Sequence, residues 1–99
     1  MIILKSHAVG EIVLNVETLK FTDLSDIDFH RAGLSNMCFE GSKMARANLR
    51  SAELEESVMD YVDFTEALLM NANLFRVSLK YAKLIGAKLI GTNLVGGQL

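Results

Sequence analysis

The amino-acid sequence predicts an all-β solenoid built of four-sided coils. Three observations lead there: a period of five in the large apolar residues, small residues two places ahead of them, and charges that alternate in sign at a separation of twenty. A fixed internal period is the signature of a repeat architecture.

From Leu19 every fifth residue is Leu, Phe or Met: Leu19, Leu24, Phe29, Leu34, Phe39, Met44, Leu49, Leu54, Met59, Phe64, Leu69, Leu74, Leu79, Leu84, Leu89, Leu94 and Leu99. We term this the centre of each pentad. Its partner, two residues earlier, is mostly small, as at Ala32, Ala47, Ala52, Ala67, Ala72, Ala82 and Ala87, with Ser42, Ser57, Thr22 and Thr92 among the others. Five residues turn roughly 500° on an α-helix, so the centres would spiral around every face. On a flat strand an odd period would alternate them between faces. The pattern fits a chain that turns a corner every five residues, with centre and partner pointing inward from one short extended segment. The Leu, Ala, Met, Glu and Lys content over 40–60 favours helix, but propensity is a weak prior beside a period that runs throughout.

The charges set the number of sides. Residues one coil apart stack roughly 4.8 Å from each other, and opposite charges there are favourable. At a separation of twenty the pairs Glu11/Arg31, Lys20/Glu40, Asp23/Lys43, Asp26/Arg46, Lys43/Asp63, Arg46/Glu66, Glu56/Arg76, Asp60/Lys80 and Asp63/Lys83 are opposite, and Glu40/Asp60 is alike. At fifteen only Asp28/Lys43 is opposite, against the like pairs Lys5/Lys20, Glu11/Asp26, Arg31/Arg46 and Glu40/Glu55. Four pentads per coil follow. The repeat region is 19–99.

Residues 1–18 read as an irregular N-terminal strand or cap. Leu4, Val9 and Leu14 keep the phase of five, but the partner positions hold His7 and Glu17. Ionisable groups facing a narrow apolar core are costly. The segment 11–16 reads as a strand able to close the N-terminal end, and solenoid ends need caps. The repeat itself runs to Leu99, with no cap of its own following it.

The runs Ala47-Asn48-Leu49, Ala72-Asn73-Leu74 and Thr92-Asn93-Leu94, with Asp or Asn ahead of the centre also at Asp23, Asp28 and Asp63, resemble the pentapeptide-repeat family. The resemblance covers about 19–99. It implies a right-handed quadrilateral β-helix, here of about four to five coils. It implies no single activity. Some members of the family mimic DNA and act as inhibitors or protectors of type II topoisomerases, conferring quinolone resistance, and others dimerise through their C-terminal coils.

Composition narrows the function. The 99 residues make one domain at most, with a net charge of -2, 51% hydrophobic residues and a mean hydropathy of +0.28. That balance argues against direct nucleic-acid binding and against disorder. No apolar run reaches the ~20 residues of a membrane span, and the N-terminus lacks the form of a signal peptide. The single Cys38 fits a reducing compartment, so a cytoplasmic location is expected. No catalytic, cofactor or metal site is expected. Neither His7 nor His30 has a Ser or Cys at a motif spacing, and Cys38 reads as a structural thiol. Gly86, Gly91 and Gly96 repeat every five residues as corners, unlike a phosphate loop. Asp23, Asp26 and Asp28 lack the spacing of a calcium loop.

Two surface features remain. Glu53, Glu55, Glu56, Asp60, Asp63 and Glu66 form an acidic cluster without an intervening base. A DNA-like surface is one reading, but the acids wrap around one coil and bases stand above several of them, so a solvated, balanced face is favoured. The second is apolar. After the centre, pentads in the first half carry Ser25, His30, Ser35, Glu40, Arg50 and Glu55, but Met70, Phe75, Ile85, Ile90 and Val95 follow in the second, with Leu68 beside Met70. Contiguous exposed apolar residues mark interfaces. The sequence therefore predicts a non-catalytic structural or protein-interaction module, meeting a protein partner or a second copy through its C-terminal coils. The alternative is a DNA-mimicking topoisomerase inhibitor or protector.

Overall fold

A computed structural model of the chain describes all 99 residues. It is a right-handed quadrilateral β-helix closed at its N-terminal end by a two-stranded hairpin, with extents of 30 × 25 × 23 Å. Parallel bridges join Asp23 to Lys43, Asp28 to Asn48, Gly33 to Glu53 and Cys38 to Val58, one on each side of the square, and the same register of twenty continues to Ser78–Gln98. At twenty residues each, the span 20–99 makes four coils.

The corner explains why five residues suffice for one side. The carbonyl of a centre accepts the N–H three residues on, as Leu49 accepts from Ala52 at 3.1 Å. The third residue of that four-residue turn has positive φ, as a type II turn requires. Corners at Asn36 (φ 60), Glu56 (φ 60) and Arg76 (φ 58) are non-glycine residues held in this conformation, while Gly41, Gly86, Gly91 and Gly96 adopt it freely.

Asp or Asn ahead of the centre has its own role in the turn. Its side-chain oxygen accepts the N–H two residues on, at 3.0 Å from Ser25 to Asp23, 3.2 Å from Arg50 to Asn48 and 3.1 Å from Phe75 to Asn73. Such a turn costs nothing in chain length and satisfies a backbone donor that no ladder reaches.

Between coils, each pentad sends two N–H groups toward the C-terminal end and one toward the N-terminal end. The N–H groups of Leu49 and Ser51 bond to the carbonyls of Leu68 and Met70 above, while that of Asn48 bonds to Ile27 below.

The core is the axial stack of centres and partners. Leu24, Phe29, Leu34, Phe39, Met44, Leu49, Leu54, Met59, Phe64, Leu69 and Leu74 are buried, as are Ala47, Ala52, Ala67 and Ala72. Where a hydroxyl replaces the alanine methyl, it finds a carbonyl of the coil before: Ser57 Oγ donates to Leu34 O at 2.7 Å, and Thr92 Oγ1 to Leu69 O at 2.7 Å. The polar group inside the narrow core is thereby satisfied.

Residues 1–18 form a hairpin more regular than expected. Strand β1 (Ile2–Ser6) pairs antiparallel with β2 (Gly10–Leu14), Leu4 opposite Ile12. Leu4, Ile12 and Leu14 are buried against the first coil, while His7 and Glu17 stay in solvent. The cost of burying two ionisable groups is avoided because this stretch follows the period of a strand, which is two. Strand β1 docks antiparallel on the first coil through the Ser6–Ala32 bridge, and Gly33 N donates to Lys5 O at 2.8 Å. Glu11 faces Lys5 across the hairpin, so it does not join a column with Arg31.

Candidate functional site

At the C-terminal end the repeat pattern is unchanged but its environment is not. Leu84 and Leu89 are half-buried, Leu94 is 38% exposed and Leu99 81% exposed, although all four occupy core positions. Within this chain no residue pairs with the upward N–H groups of coil 80–99. Ile90, at 81% exposed, and Ile85 and Val95 stand outward from the same coil.

The predicted interface residues do not share one flat surface. Met70 and Ile90 stack on one side of the square, with Asn71 N bonded to Ile90 O between them, and Leu68 lies on that side bridged to Lys88. Phe75 and Val95 stack on the next side, past the corner at Asn71. Ile85 stands on a third, above Thr65. The six residues converge only at the C-terminal end. Met70 and Leu68 are half-buried, so the exposed part is Phe75 together with Ile85, Ile90 and Val95.

The acidic cluster wraps the coil in the same way and is partly engaged. One oxygen of Glu55 accepts from Ser35 Oγ at 3.0 Å, while its other oxygen is buried without a partner. Asp60 Oδ1 accepts from Ser78 Oγ at 2.5 Å and from Lys80 N at 3.1 Å. Asp63 accepts from the hydroxyl and the N–H of Thr65, which hold its pKa below the ordinary carboxylate range, with Lys83 and Lys43 adding to the effect. The column Asp23–Lys43–Asp63–Lys83 runs along one side as the sequence predicts. Asp26 and Arg46 form a two-pronged ion pair, each contact 2.8 Å, on a corner. That pair lowers the Asp26 pKa and raises that of Arg46. Both partners are largely exposed, so the pair sets register more than stability.

No three His, Cys, Asp or Glu side chains are grouped to hold a metal ion. His30 is half-buried; its backbone N–H donates to Asp28 Oδ1 at 3.0 Å and its backbone carbonyl accepts from Ser6 Oγ. Cys38 is a free, half-buried thiol on the side facing Val58. No helix is long and apolar enough to cross a membrane.

Two features escaped the sequence reading. One is an aromatic corner: Phe21, Gly41, Tyr61 and Tyr81 follow one another at a separation of twenty, and the Tyr61 and Tyr81 rings stack with centroids 5.1 Å apart. A shallow pocket of about 430 Å³ adjoins it, lined by Lys80, Tyr81 and Leu99. The other is the charge of the last coil. After Glu66 the chain holds Arg76, Lys80, Lys83 and Lys88 and no acid. A separate count of positive and negative residues in each coil would have shown it.

The sequence profile of pentapeptide repeats matches residues 41–75 and 62–96, with 8 copies. The chain belongs to the pentapeptide-repeat family. Among solved structures it is similar to HetL, a pentapeptide-repeat protein involved in heterocyst differentiation regulation from the cyanobacterium Nostoc sp. strain PCC 7120, with a TM-score of 0.75 and 28% identity. That match covers 79% of this chain and 39% of HetL, so the chain spans well under half the length of that relative. It is also similar to the pentapeptide-repeat protein Rfr23 from the cyanobacterium Cyanothece 51142, with a TM-score of 0.78 and 25% identity, over 97% of this chain and 69% of Rfr23. No curated protein matches the chain.

Proposed function

We propose that this pentapeptide-repeat chain is a non-catalytic protein-interaction module that docks through its C-terminal coils. The observation that carries the reading is the ring of outward aliphatic residues on the last coil, Ile85, Ile90 and Val95, 74%, 81% and 65% exposed. Each stands outward on a different side of the same coil, and large exposed apolar residues grouped in this way are characteristic of an interface. The occupant is a protein partner or a second copy of the chain. The non-catalytic part of the reading is supported by the absence of any metal-holding group of His, Cys, Asp and Glu side chains and by the apolar neighbour of Cys38 across its bridge.

Electrostatics disfavours the topoisomerase-directed alternative. A DNA mimic presents uncompensated negative charge along its length. Here one side alternates Asp23, Lys43, Asp63 and Lys83, and the last coil is basic. Gyrase supercoiling in the presence of the chain should be unchanged.

The test of docking is the double variant Ile90→Asp with Val95→Asp. It should abolish association measured by analytical ultracentrifugation, alone or with a purified partner, while the circular dichroism spectrum is retained. Unaltered association in that variant would remove the C-terminal coils from the interface.

A further inference from the structure

Exposed rings are gathered on one edge of the square. The corner column Phe21, Gly41, Tyr61 and Tyr81 holds both tyrosines of the chain, and the other three corner columns hold no aromatic residue. The placement is costly. Phe21, Tyr61 and Tyr81 have φ 50, 62 and 61, a left-handed conformation that bulky side chains rarely adopt. Asparagine or glycine serves the same turn with less strain, as Asn71 and Gly91 do on another corner. Strained backbone of this kind concentrates at ligand clamps and switch regions. Tyr61 is 57% exposed although coils bond to its own coil both above and below. Its ring stacks on Tyr81, and on the opposite side Gly41 brings no side chain.

Charge singles out the same edge. Beside the rings runs the column Lys20, Glu40, Asp60 and Lys80, which contains the one like-charged pair at a separation of twenty. Asp60 Oδ1 accepts from Ser78 Oγ and Lys80 N, while its Oδ2 has no partner. The one ion pair of the chain is Asp26 with Arg46, so no lysine holds Glu40 or Asp60. On the next side Lys43 and Lys83 alternate with Asp23 and Asp63, and that column presents no net charge. Tyr61 thus stands beside two carboxylates that no cation of the chain neutralises.

We infer that this corner docks an arginine-bearing segment of a partner protein, with a guanidinium group laid against Tyr61 within reach of Glu40 and Asp60. The surface is separate from Ile85, Ile90 and Val95 and does not depend on docking there. An aromatic ring attracts a cation. A planar guanidinium stacks on the ring while its N–H groups meet carboxylates, a combination that a compact ammonium matches less well. A second copy does not fit. The order Lys20, Glu40, Asp60, Lys80 reads the same in both directions, so two such edges oppose like charges whether they meet parallel or antiparallel.

The experiment uses the isotopically labelled 99-residue chain and two synthetic probes, a short alternating Arg/Ser peptide and its Glu/Ser counterpart. The Arg/Ser peptide should shift the ring resonances of Tyr61 and Tyr81, and the Glu/Ser peptide should not. Binding should weaken as salt is raised. Tyr61→Asn suits a left-handed corner, as Asn71 shows. It should keep the circular dichroism spectrum while binding falls by about threefold or more. Tyr61→Phe keeps the ring and should keep the binding. Glu40→Gln with Asp60→Asn should weaken it by a similar factor, and the fold should hold because an amide oxygen still accepts from Ser78 and Lys80. Ile90→Asp with Val95→Asp should leave it unchanged. Absence of ring shifts with the Arg/Ser peptide, equal shifts with the Glu/Ser peptide, or full binding by Tyr61→Asn overturns the inference. Ring shifts produced by a neutral oligosaccharide and by neither peptide overturn it, as does self-association through these rings. Loss of peptide binding in the Ile90→Asp, Val95→Asp variant overturns it too, but leaves docking at the C-terminal coils standing.

Discussion

The Phe21 ring lies flat over Gly41 on the next coil: a Cβ placed on Gly41 would sit 2.3 Å from Phe21 Cδ1. The two residues occupy the same corner one coil apart, and Gly41 has φ +71. Glycine is needed there twice, for the left-handed turn and for the room the ring takes. Gly41→Ala should therefore destabilise the fold by about 1–3 kcal/mol. Adding Phe21→Ala should recover part of that loss, because the clash disappears while the backbone strain remains. Urea titration of the two single variants and the double variant measures the coupling. Strict additivity would show that the ring does not touch this corner in solution.

Deep in the stack, Leu54 and Phe39 have no exposed surface, and neighbouring coils hold them above and below. Leu54→Ala should cost about 2–5 kcal/mol. Leu99→Ala occupies the same position in the repeat but is 81% exposed. It should cost well under 1 kcal/mol. Thermal unfolding of the two variants compares them directly, and equal losses would mean that Leu99 is as well packed as Leu54.

The coil was legible in the sequence because the corner forces centre and partner inward in every pentad, so Leu49 and Ala47 recur as one signal. Register was legible because Asp23, Lys43, Asp63 and Lys83 stack directly. Strand β1 was not. Leu4, Val9 and Leu14 happen to keep the phase of five, which disguises a hairpin whose true alternation is Ile12 and Leu14. Ile85, Ile90 and Val95 could be picked out by their outward position. Leu94 could not, because a centre reads as buried wherever it falls, and only the absence of a stacked coil exposes it. The polarity of the backbone donors carries no side-chain code at all.

The left-handed corners hold a store of removable strain. Glu56 adopts φ 60 on an exposed corner. A non-glycine residue pays roughly 1–2 kcal/mol for that conformation. Glycine adopts it freely but loses more chain entropy on folding. Glu56→Gly should therefore stabilise the protein by about 0.5–1 kcal/mol. Gly91→Glu should do the reverse and more, since its Cβ would lie 2.2 Å from Asn71 Oδ1. Melting temperatures of both variants decide the matter; a loss in Glu56→Gly would mean that the corner side chain contributes more than its conformation costs.

Acid should loosen the columns before it loosens the core. The N–H of Ser25 lowers the Asp23 pKa, Arg46 lowers that of Asp26, and the Thr65 hydroxyl lowers that of Asp63. Each carboxylate therefore releases its proton more readily in the folded chain than in the unfolded one, whose value is about 4. Around and below that pH the unfolded chain binds more protons, so stability rises with pH there. The contribution is complete above the unfolded value and is lost as pH falls through the folded ones. The melting temperature should stay level from neutral pH down to about 5 and fall below about 4. Asp63→Asn should make that fall shallower at little cost near neutrality, since an amide oxygen can accept the same turn hydrogen bond, as Asn48 and Asn73 do. Asp26→Asn should also flatten the acid limb, but it gives up the ion pair with Arg46. An acid limb unchanged in both variants would mean that neither Asp63 nor Asp26 governs unfolding at low pH.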